Sequence, residues 1–214
     1  MKIIVDAMGG DNAPLEIVRG ALNAARARRD WEILLVGREA DVRLAVSQCG
    51  GAPGNVHLVN ATEVIDMHDD PATAFKTKKD SSITVGLTML KNGEGDAFAS
   101  AGSTGALLAA GTLLVKRVRG IRRAAMAPVI PTATGKAVLI DCGANAECSV
   151  EYLMQFAYLG SFYASRVLGL EKPRVGLLNI GAEDTKGDQL RRDTYAALKK
   201  AGDEGSLNFI GSIE

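Results

Sequence analysis

The N-terminal sequence runs Lys2-Ile3-Ile4-Val5-Asp6 and continues into a polar turn, Ala7-Met8-Gly9-Gly10-Asp11-Asn12-Ala13-Pro14. A short β-branched run that ends in a glycine-bearing turn is typical of a strand in a parallel sheet. The next residues, Leu15–Arg29, place apolar side chains at a helical spacing. Pro14 suits a first helical position, and Asn12 is a candidate cap for that helix. This stretch therefore predicts a strand, a loop and a helix in succession.

The same alternation of short apolar runs and longer helical patterns continues along the chain. Further candidate strands are Glu32–Val36, Asn55–Val59, Asp96–Ser100, Lys136–Asp141, Arg174–Asn179 and Leu207–Ile210. Further candidate helices are Thr104–Lys116, Val150–Val167 and Asp188–Lys200. Alternation of this kind predicts an α/β fold with a mostly parallel sheet. No linker rich in proline or serine divides the chain, so we expect a single α/β region over residues 1–214.

Composition excludes several classes of protein. The 214 residues are 47% hydrophobic, with 25 basic and 25 acidic side chains, which is globular rather than disordered. The most apolar stretch, Ala106–Val115, is too short to span a bilayer, and the apolar run at the N-terminus is too short for a signal peptide. Zero net charge argues against a nucleic-acid partner. The three cysteines form no C-x-x-C pair and the two histidines form no cluster, so we predict no metal, no cofactor and no Ser-His-Asp triad.

Four small, polar loops follow predicted strands, and ligands of parallel sheets bind beyond the carboxyl ends of strands. We name them the N-terminal glycine loop (Asp6–Pro14), the anion loop (Ser100–Leu107), the aspartate loop (Asp141–Glu147) and the lysine loop (Asn179–Asp188). The candidate phosphate- or substrate-binding residues in them are Asp6, Gly9, Gly10, Ser100, Gly102, Ser103, Thr104, Gly105, Asp141, Asn145 and Asn179.

The anion loop is the best candidate for binding phosphate. Its glycines let the backbone approach a ligand, Ser103 and Thr104 add hydroxyl donors, and the following helix presents free N–H groups. An ordinary turn between a strand and a helix would have a similar sequence. No Gly-Lys-Ser/Thr follows, so it is not a P-loop, and Gly9-Gly10 does not continue as G-x-G-x-x-G, which disfavours dinucleotide binding.

Three charged features allow two interpretations each. Lys186 either pairs with an anionic substrate or polarises a carbonyl, or it is a solvated lysine paired with Glu183 or Asp184. Asp6 and Asp141 close predicted strands, where a carboxylate either orients a ligand or caps a loop. The basic run Lys116–Arg123 is either a solvated helix end or a docking site for an acidic or phosphate-bearing partner. The segment from Asp66 to Lys79 reads as a mobile polar stretch.

Several of these motifs resemble a known family. Seven stretches, taken in order along the chain, resemble the bacterial phosphate acyltransferases of phospholipid synthesis. They are Asp6-Ala7-Met8-Gly9-Gly10-Asp11, Asp69-Asp70-Pro71-Ala72-Thr73-Ala74-Phe75-Lys76, Lys79-Asp80-Ser81-Ser82-Ile83, Ser100-Ala101-Gly102-Ser103-Thr104-Gly105-Ala106-Leu107-Leu108-Ala109, Asp141-Cys142-Gly143-Ala144-Asn145, Val175–Gly181 and Lys186-Gly187. Two positions depart from the family's usual pattern. Asn12 stands in place of a histidine, and Ser103 in place of an asparagine.

The resemblance implies an activity and a set of partners. The family transfers a fatty acyl group from acyl carrier protein to inorganic phosphate, which gives the acyl phosphate used by the downstream glycerol-3-phosphate acyltransferase. Its fold is a three-layer αβα sandwich similar to that of isocitrate and isopropylmalate dehydrogenases. Members are homodimeric, cytoplasmic and peripherally associated with the membrane, and Lys186 matches the lysine considered catalytic.

Two other classes stay open on the sequence alone, a dehydrogenase of the same general fold and a non-catalytic acyl or phosphate binder. Family members are also longer than 214 residues, and this chain stops at Gly211-Ser212-Ile213-Glu214, just after an apparent strand. We therefore expect an N-terminal fragment that is inactive or poorly stable alone.

Overall fold

A computed structural model describes all 214 residues. Contacts between residues divide the chain into two compact units, Met1–Lys116 and Arg117–Glu214. None of the helices combines the length and the apolar character needed to cross a bilayer.

The first unit contains a four-stranded parallel sheet. Its strands are β1 (Lys2–Asp6), β2 (Glu32–Gly37), β3 (Val56–Asn60) and β4 (Ala97–Ala99), in the spatial order β3-β2-β1-β4. Its helices are α1 (Leu15–Ala27), α2 (Glu39–Gln48), α3 (Ala74–Thr77), α4 (Ser82–Lys91) and α5 (Thr104–Ala110). All neighbouring strands in this sheet run parallel, as the alternating sequence pattern predicts.

Helices cover both faces of this sheet. On one face, Ile33 and Leu35 of β2 pack with Leu22 of α1 and Val42 of α2. The intervening residues of β2 point the other way, where Leu34 and Val36 pack with Ile4 and with side chains of α4. Residues of a strand alternate between its two faces, so a strand that is apolar throughout is buried on both sides. The first unit is therefore a three-layer αβα arrangement.

The second unit has a smaller amount of sheet. Its elements are the strands β5 (Val129–Thr132), β6 (Gly135–Val138), β7 (Val175–Leu178) and β8 (Phe209–Ile213), and the helices α6 (Val150–Arg166) and α7 (Gln189–Asp203). Strands β7 and β8 pair in parallel, whereas β5 and β6 form an antiparallel hairpin. A core of Leu177, Leu198, Ala201 and Leu207 joins α7 to the parallel pair.

Several predicted elements differ from the observed ones. The helix predicted over Thr104–Lys116 is an α-helix only to Ala110 and continues as a π-helix over Gly111–Val115. The strand predicted over Lys136–Asp141 ends at Val138, so Asp141 does not close a strand, and its partner β5 was not predicted. Asn12 does not cap α1 through its side chain, because Pro14 is the capping residue and makes no side-chain bond. The helices α2, α3 and α4 were also not predicted.

The double-sided burial of β2 gives a test of the fold. We expect Leu35→Ala to lower the free energy of unfolding by about 2–5 kcal/mol, since Leu35 is completely buried and its truncation leaves a cavity. Leu44→Ala is the matched control, because Leu44 on α2 is 61% exposed and its loss should cost less than about 0.5 kcal/mol. Urea unfolding of both variants measures the difference. Equal costs would contradict the packing described.

Candidate functional site

The N-terminal glycine loop and the anion loop meet at the carboxyl ends of β1 and β4. The register of these strands pairs Val5 with Ala99, so the next residues, Asp6 and Ser100, follow side by side. The Ser100 hydroxyl donates to Asp6 Oδ2 at 2.7 Å, and Asp6 Oδ1 accepts the N–H of Met8 at 3.1 Å. The structure thus brings two predicted loops into direct contact across 94 residues of sequence.

Asp6 and Ser100 organise these loops through their hydrogen bonds. A serine hydroxyl has one proton, and that of Ser100 goes to the Asp6 carboxylate. The Ser100 oxygen also accepts the N–H of Gly102 at 3.0 Å. With its proton committed to Asp6, Ser100 shapes the loop, and Asp6, 1% exposed, faces the interior. The predicted contact of both residues with a substrate stays a prediction.

Gly9 and Gly102 let the two loops approach at the level of the backbone. A Cβ on Gly9 would lie 2.8 Å from the Gly102 nitrogen and would collide with Asp6 Oδ2. A Cβ on Gly102 would lie 3.1 Å from the Gly9 Cα. Gly10 adopts a φ of +113°, which is in the region that favours glycine. Close backbone contact at Gly9 and Gly102 and the positive φ at Gly10 therefore favour glycine at these three predicted residues.

The remaining residues of the anion loop carry its free donors. Ser103 is the N-cap of α5, where its Oγ accepts the N–H of Ala106 at 3.4 Å. The N–H groups of Thr104 and Gly105 are in the first turn, where helical N–H groups have no partner within the helix. Thr104 and Gly105 are both exposed. The loop therefore presents backbone and hydroxyl donors to the outside.

The aspartate loop is organised by its carboxylate. Asp141 accepts the N–H groups of Met126 and Asn145, each at 2.7 Å, and that of Ala144 at 3.2 Å. The Asn145 side chain donates to Asp141 at 3.1 Å and to the Ala124 carbonyl at 2.9 Å. Burial raises the pKa of Asp141, but these hydrogen bonds outweigh it and hold the pKa below its usual value. The geometry favours the loop-capping interpretation of Asp141.

The lysine loop closes on itself through Asn179. The Asn179 side chain donates to the Lys186 carbonyl at 3.0 Å and its oxygen accepts the N–H of Ile180 at 2.9 Å. The aliphatic part of Lys186 packs over Gly181, where a Cβ would lie 2.9 Å from Lys186 Cγ. The ammonium group pairs with neither Glu183 nor Asp184, so the ion-paired alternative is wrong. Lys186 is exposed with its charge free.

The predicted residues thus fall into two groups in different units. The first unit assembles Asp6, Gly9, Gly10, Ser100, Gly102, Ser103, Thr104 and Gly105, and the second unit carries Asp141, Asn145, Asn179 and Lys186. Two open surface depressions lie beside α2 and contain none of these residues. No three His, Cys, Asp or Glu side chains come together as metal ligands.

One segment was interpreted wrongly from the sequence. The stretch from Asp66 to Lys79 is not simply a mobile polar run, because Lys78 Nζ donates to Asp69 and to the Val64 carbonyl, at 2.5 and 2.8 Å. Pro71 of the same stretch lies against Gly105 of the anion loop. The sequence shows aspartates before this proline and lysines after it, but charge alone does not specify which residues pair.

The contact between the two glycine-bearing loops predicts opposite effects for two substitutions. We expect Gly9→Ala to destabilise the protein by about 1–3 kcal/mol, because the new methyl group collides with Asp6 and the Gly102 backbone. Gly20→Ala is the matched control. Gly20 lies in α1 with nothing near its Cβ position, so alanine should stabilise by about 0.5–1 kcal/mol. Thermal unfolding compares the two, and the same sign for both would contradict the geometry.

The lowered pKa of Asp141 predicts a pH dependence of stability. A carboxylate with a lowered folded-state pKa stabilises the protein above its unfolded pKa of about 3.9, and the contribution is lost as the pH falls through the folded value. We expect Asp141→Asn to cost about 1.5–3 kcal/mol at pH 7. The cost should shrink below pH about 4, where the wild-type carboxyl is itself protonated.

Urea unfolding at pH 7 and pH 3 measures this effect. Asp203→Asn is the control, since Asp203 is exposed and makes no ion pair or side-chain hydrogen bond, and its loss should cost less than about 0.5 kcal/mol. A cost for Asp141→Asn that is the same at both pH values would contradict the role of the charge.

The chain is similar in sequence to known proteins and in fold to solved structures. Phosphate acyltransferases from Desulfitobacterium hafniense and Caldanaerobacter subterraneus are 49% and 45% identical to this chain over 214 residues. The match covers all of this chain and 62% of each relative, so the chain spans less than two thirds of their length.

Solved structures share the fold. A phosphotransacetylase from Streptococcus pyogenes superposes with a TM-score of 0.72 at 18% identity, and the EutD phosphotransacetylase from Staphylococcus aureus with 0.70 at 16%. Both matches cover this whole chain and 68% of the solved one, and they confirm the α/β fold with a mostly parallel sheet. The model of the family described as "Fatty acid synthesis protein" matches residues 1–214. The chain therefore belongs to the fatty acid synthesis protein family.

Proposed function

We propose that the protein of which these residues are part transfers a fatty acyl group from acyl carrier protein to inorganic phosphate. A phosphate oxygen attacks the thioester carbonyl, the carbon–sulfur bond breaks, and the carrier thiolate leaves and takes up a proton. The product is an acyl phosphate for phospholipid synthesis. The names of the relatives support acyl transfer involving phosphate, and the acyl carrier protein substrate is proposed from the family resemblance.

The observation that carries this proposal is the set of free donors on the anion loop. Thr104 and Gly105 present N–H groups that have no partner within the helix, and the Ser103 and Thr104 hydroxyls lie beside them. A phosphate dianion needs several convergent donors, and backbone N–H groups supply them with no cost of ordering long side chains. Asp6 and Ser100 behind the loop keep these donors in place.

Lys186 is proposed as the catalytic residue. Its ammonium group has no carboxylate partner and is exposed, so its charge is available to an oxygen that becomes negative during acyl transfer. Packing on Gly181 and the bond from Asn179 to the Lys186 carbonyl fix the backbone that carries it. Gly187 supports the same turn with a φ of +87°.

The basic run is proposed to dock the acidic acyl carrier protein. In the second unit, Arg122 pairs with Glu151 at 3.1 Å and Arg123 lies over the Tyr152 ring, 5.7 Å from its centre. Arg117 and Arg119 are exposed and make no ion pair, so their charges are free to steer an acidic partner. A homodimer with a cytoplasmic location and peripheral membrane contact is proposed on the family resemblance alone.

An assay of thiol release tests the proposed reaction and the role of Lys186. Full-length protein is mixed with palmitoyl acyl carrier protein, and release of the carrier thiol is followed with and without phosphate. We expect release that depends on phosphate, with isotope-labelled phosphate appearing in the acyl phosphate. Lys186→Ala should lower kcat at least about 100-fold, as expected for loss of a group that stabilises an oxyanion.

Lys199→Ala is the matched control, because Lys199 is an exposed lysine on α7 of the same unit and makes no ion pair. Its kcat should equal that of the wild type. Absence of phosphate-dependent release by the wild type would overturn the proposed reaction. Full activity of Lys186→Ala would overturn only the choice of catalytic residue.

A further inference from the structure

The segment Asp66–Pro71, which we call the acidic segment, packs against the anion loop. Pro71 lies so close to Gly105 that a Cβ on Gly105 would be 3.0 Å from Pro71 Cβ and 3.2 Å from Pro71 Cγ. Gly105 is in the first turn of α5, where the free N–H groups of the loop are found. Pro71 therefore borders the surface that would receive a phosphate.

The downstream end of the acidic segment is held by packing and turn formation. Asp70 accepts the N–H of Ala72 at 3.0 Å and the hydroxyl of Thr73 at 2.7 Å, which shapes the turn into α3. On α3, Ala74 and Phe75 are buried in one cluster with Ala106 and Ala110 of α5. This end of the segment is therefore attached to the same helix that Pro71 contacts.

The upstream end is held by the buried side chain of Ile65, by the N–H of Asp66, which donates to Asp69 Oδ2 at 2.8 Å, and by Lys78. Lys78 Nζ donates to Asp69 Oδ2 at 2.5 Å and to the Val64 carbonyl at 2.8 Å, and lies 3.8 Å from Asp66 Oδ2. The side chains of Lys78 and Asp69 are only 28% and 23% exposed. Their hydrogen bond raises the pKa of Lys78 and lowers that of Asp69, so both stay charged near neutral pH.

The charge of Lys78 also matters for an anion. The acidic segment carries three carboxylates, Asp66, Asp69 and Asp70, directly before the proline that borders the loop. Carboxylates close to a phosphate site oppose binding of the dianion, and the Lys78 ammonium offsets two of them at hydrogen-bond or ion-pair distance. Neighbouring Lys79 is exposed and contacts neither of them.

We propose that Lys78 is a positioning residue that holds the acidic segment against the first turn of α5 and thereby sets the affinity of the anion loop for phosphate. The proposal rests on the proposed function of that loop. Lys78 does not touch the substrate, and it acts through Asp69 and Pro71. Its loss affects phosphate binding rather than the chemical step at Lys186.

Kinetics of the full-length protein distinguish this role from a general loss of stability. We expect Lys78→Met to raise the KM for phosphate five- to tenfold with kcat changed less than twofold, and Lys78→Arg to restore most of the affinity because it keeps the charge. Asp69→Asn weakens the same hydrogen bond but also removes a carboxylate, so it should raise the KM less than Lys78→Met does, and the double variant Asp69→Asn/Lys78→Met should be no worse than Lys78→Met alone. Lys79→Met, the matched control, should leave the KM unchanged.

Hydrogen exchange gives a readout that does not depend on activity. In Lys78→Met, amides of residues 66–72 should exchange about tenfold faster, whereas those of the Lys79→Met protein should match the wild type. Equal KM values or equal exchange rates for the Lys78→Met and Lys79→Met proteins would overturn the proposal. If the wild type shows no phosphate-dependent release, the proposed function fails, and the proposed effect of Lys78 on phosphate affinity is overturned with it.

Discussion

The hydrogen bond from Ser100 to Asp6 is the interaction on which the first unit's candidate site depends. It joins the ends of two strands that are adjacent in the sheet but 94 residues apart in sequence. A carboxylate that is 1% exposed is costly unless it is hydrogen-bonded, and its donors are the neutral Ser100 hydroxyl and Met8 N–H. Because the Ser100 oxygen also accepts from Gly102, the same bond fixes the backbone of the anion loop. The positions of the Thr104 and Gly105 N–H groups therefore depend on the hydrogen bond between Ser100 and Asp6.

In the second unit, other polar side chains hold the backbones of the predicted loops. Asp141 gathers N–H groups from two separate stretches of chain, so one carboxylate organises the whole aspartate loop. In the lysine loop an amide does this, since Asn179 bonds both its neighbour and the carbonyl of Lys186. In both loops the polar side chain closes the backbone onto itself. The exposed ammonium group of Lys186 is the charge that this leaves outside any ion pair.

Sequence patterns predicted the short apolar strands and the long helices, and they missed the shorter helices α2, α3 and α4 and the exposed strand β5. α1 has a single apolar stripe and was predicted, whereas α4 was missed. It packs Ile83 and Leu87 in one cluster and Val85 and Met89 in another, so its apolar side chains do not form a single stripe. Strand β5 contains Pro131 and is exposed, so it lacks the signature of a strand. Glycines and carboxylates marked the positions of the loops, although Asp141 lies beyond the end of β6 rather than at a strand end. Which donors they bond, such as Met126 for Asp141, depends on how distant segments fold together.

The close approach of Gly9 and Gly102 has a consequence for how this protein tolerates change. Each glycine takes up the space that a side chain on the other would need, with 3.1 Å between the Gly9 Cα and a Cβ on Gly102. A substitution at one position gains nothing from a second at its partner, because both only add atoms. A side chain added at either glycine therefore cannot be accommodated by a change at the other, and room for it would require the two loops to move apart.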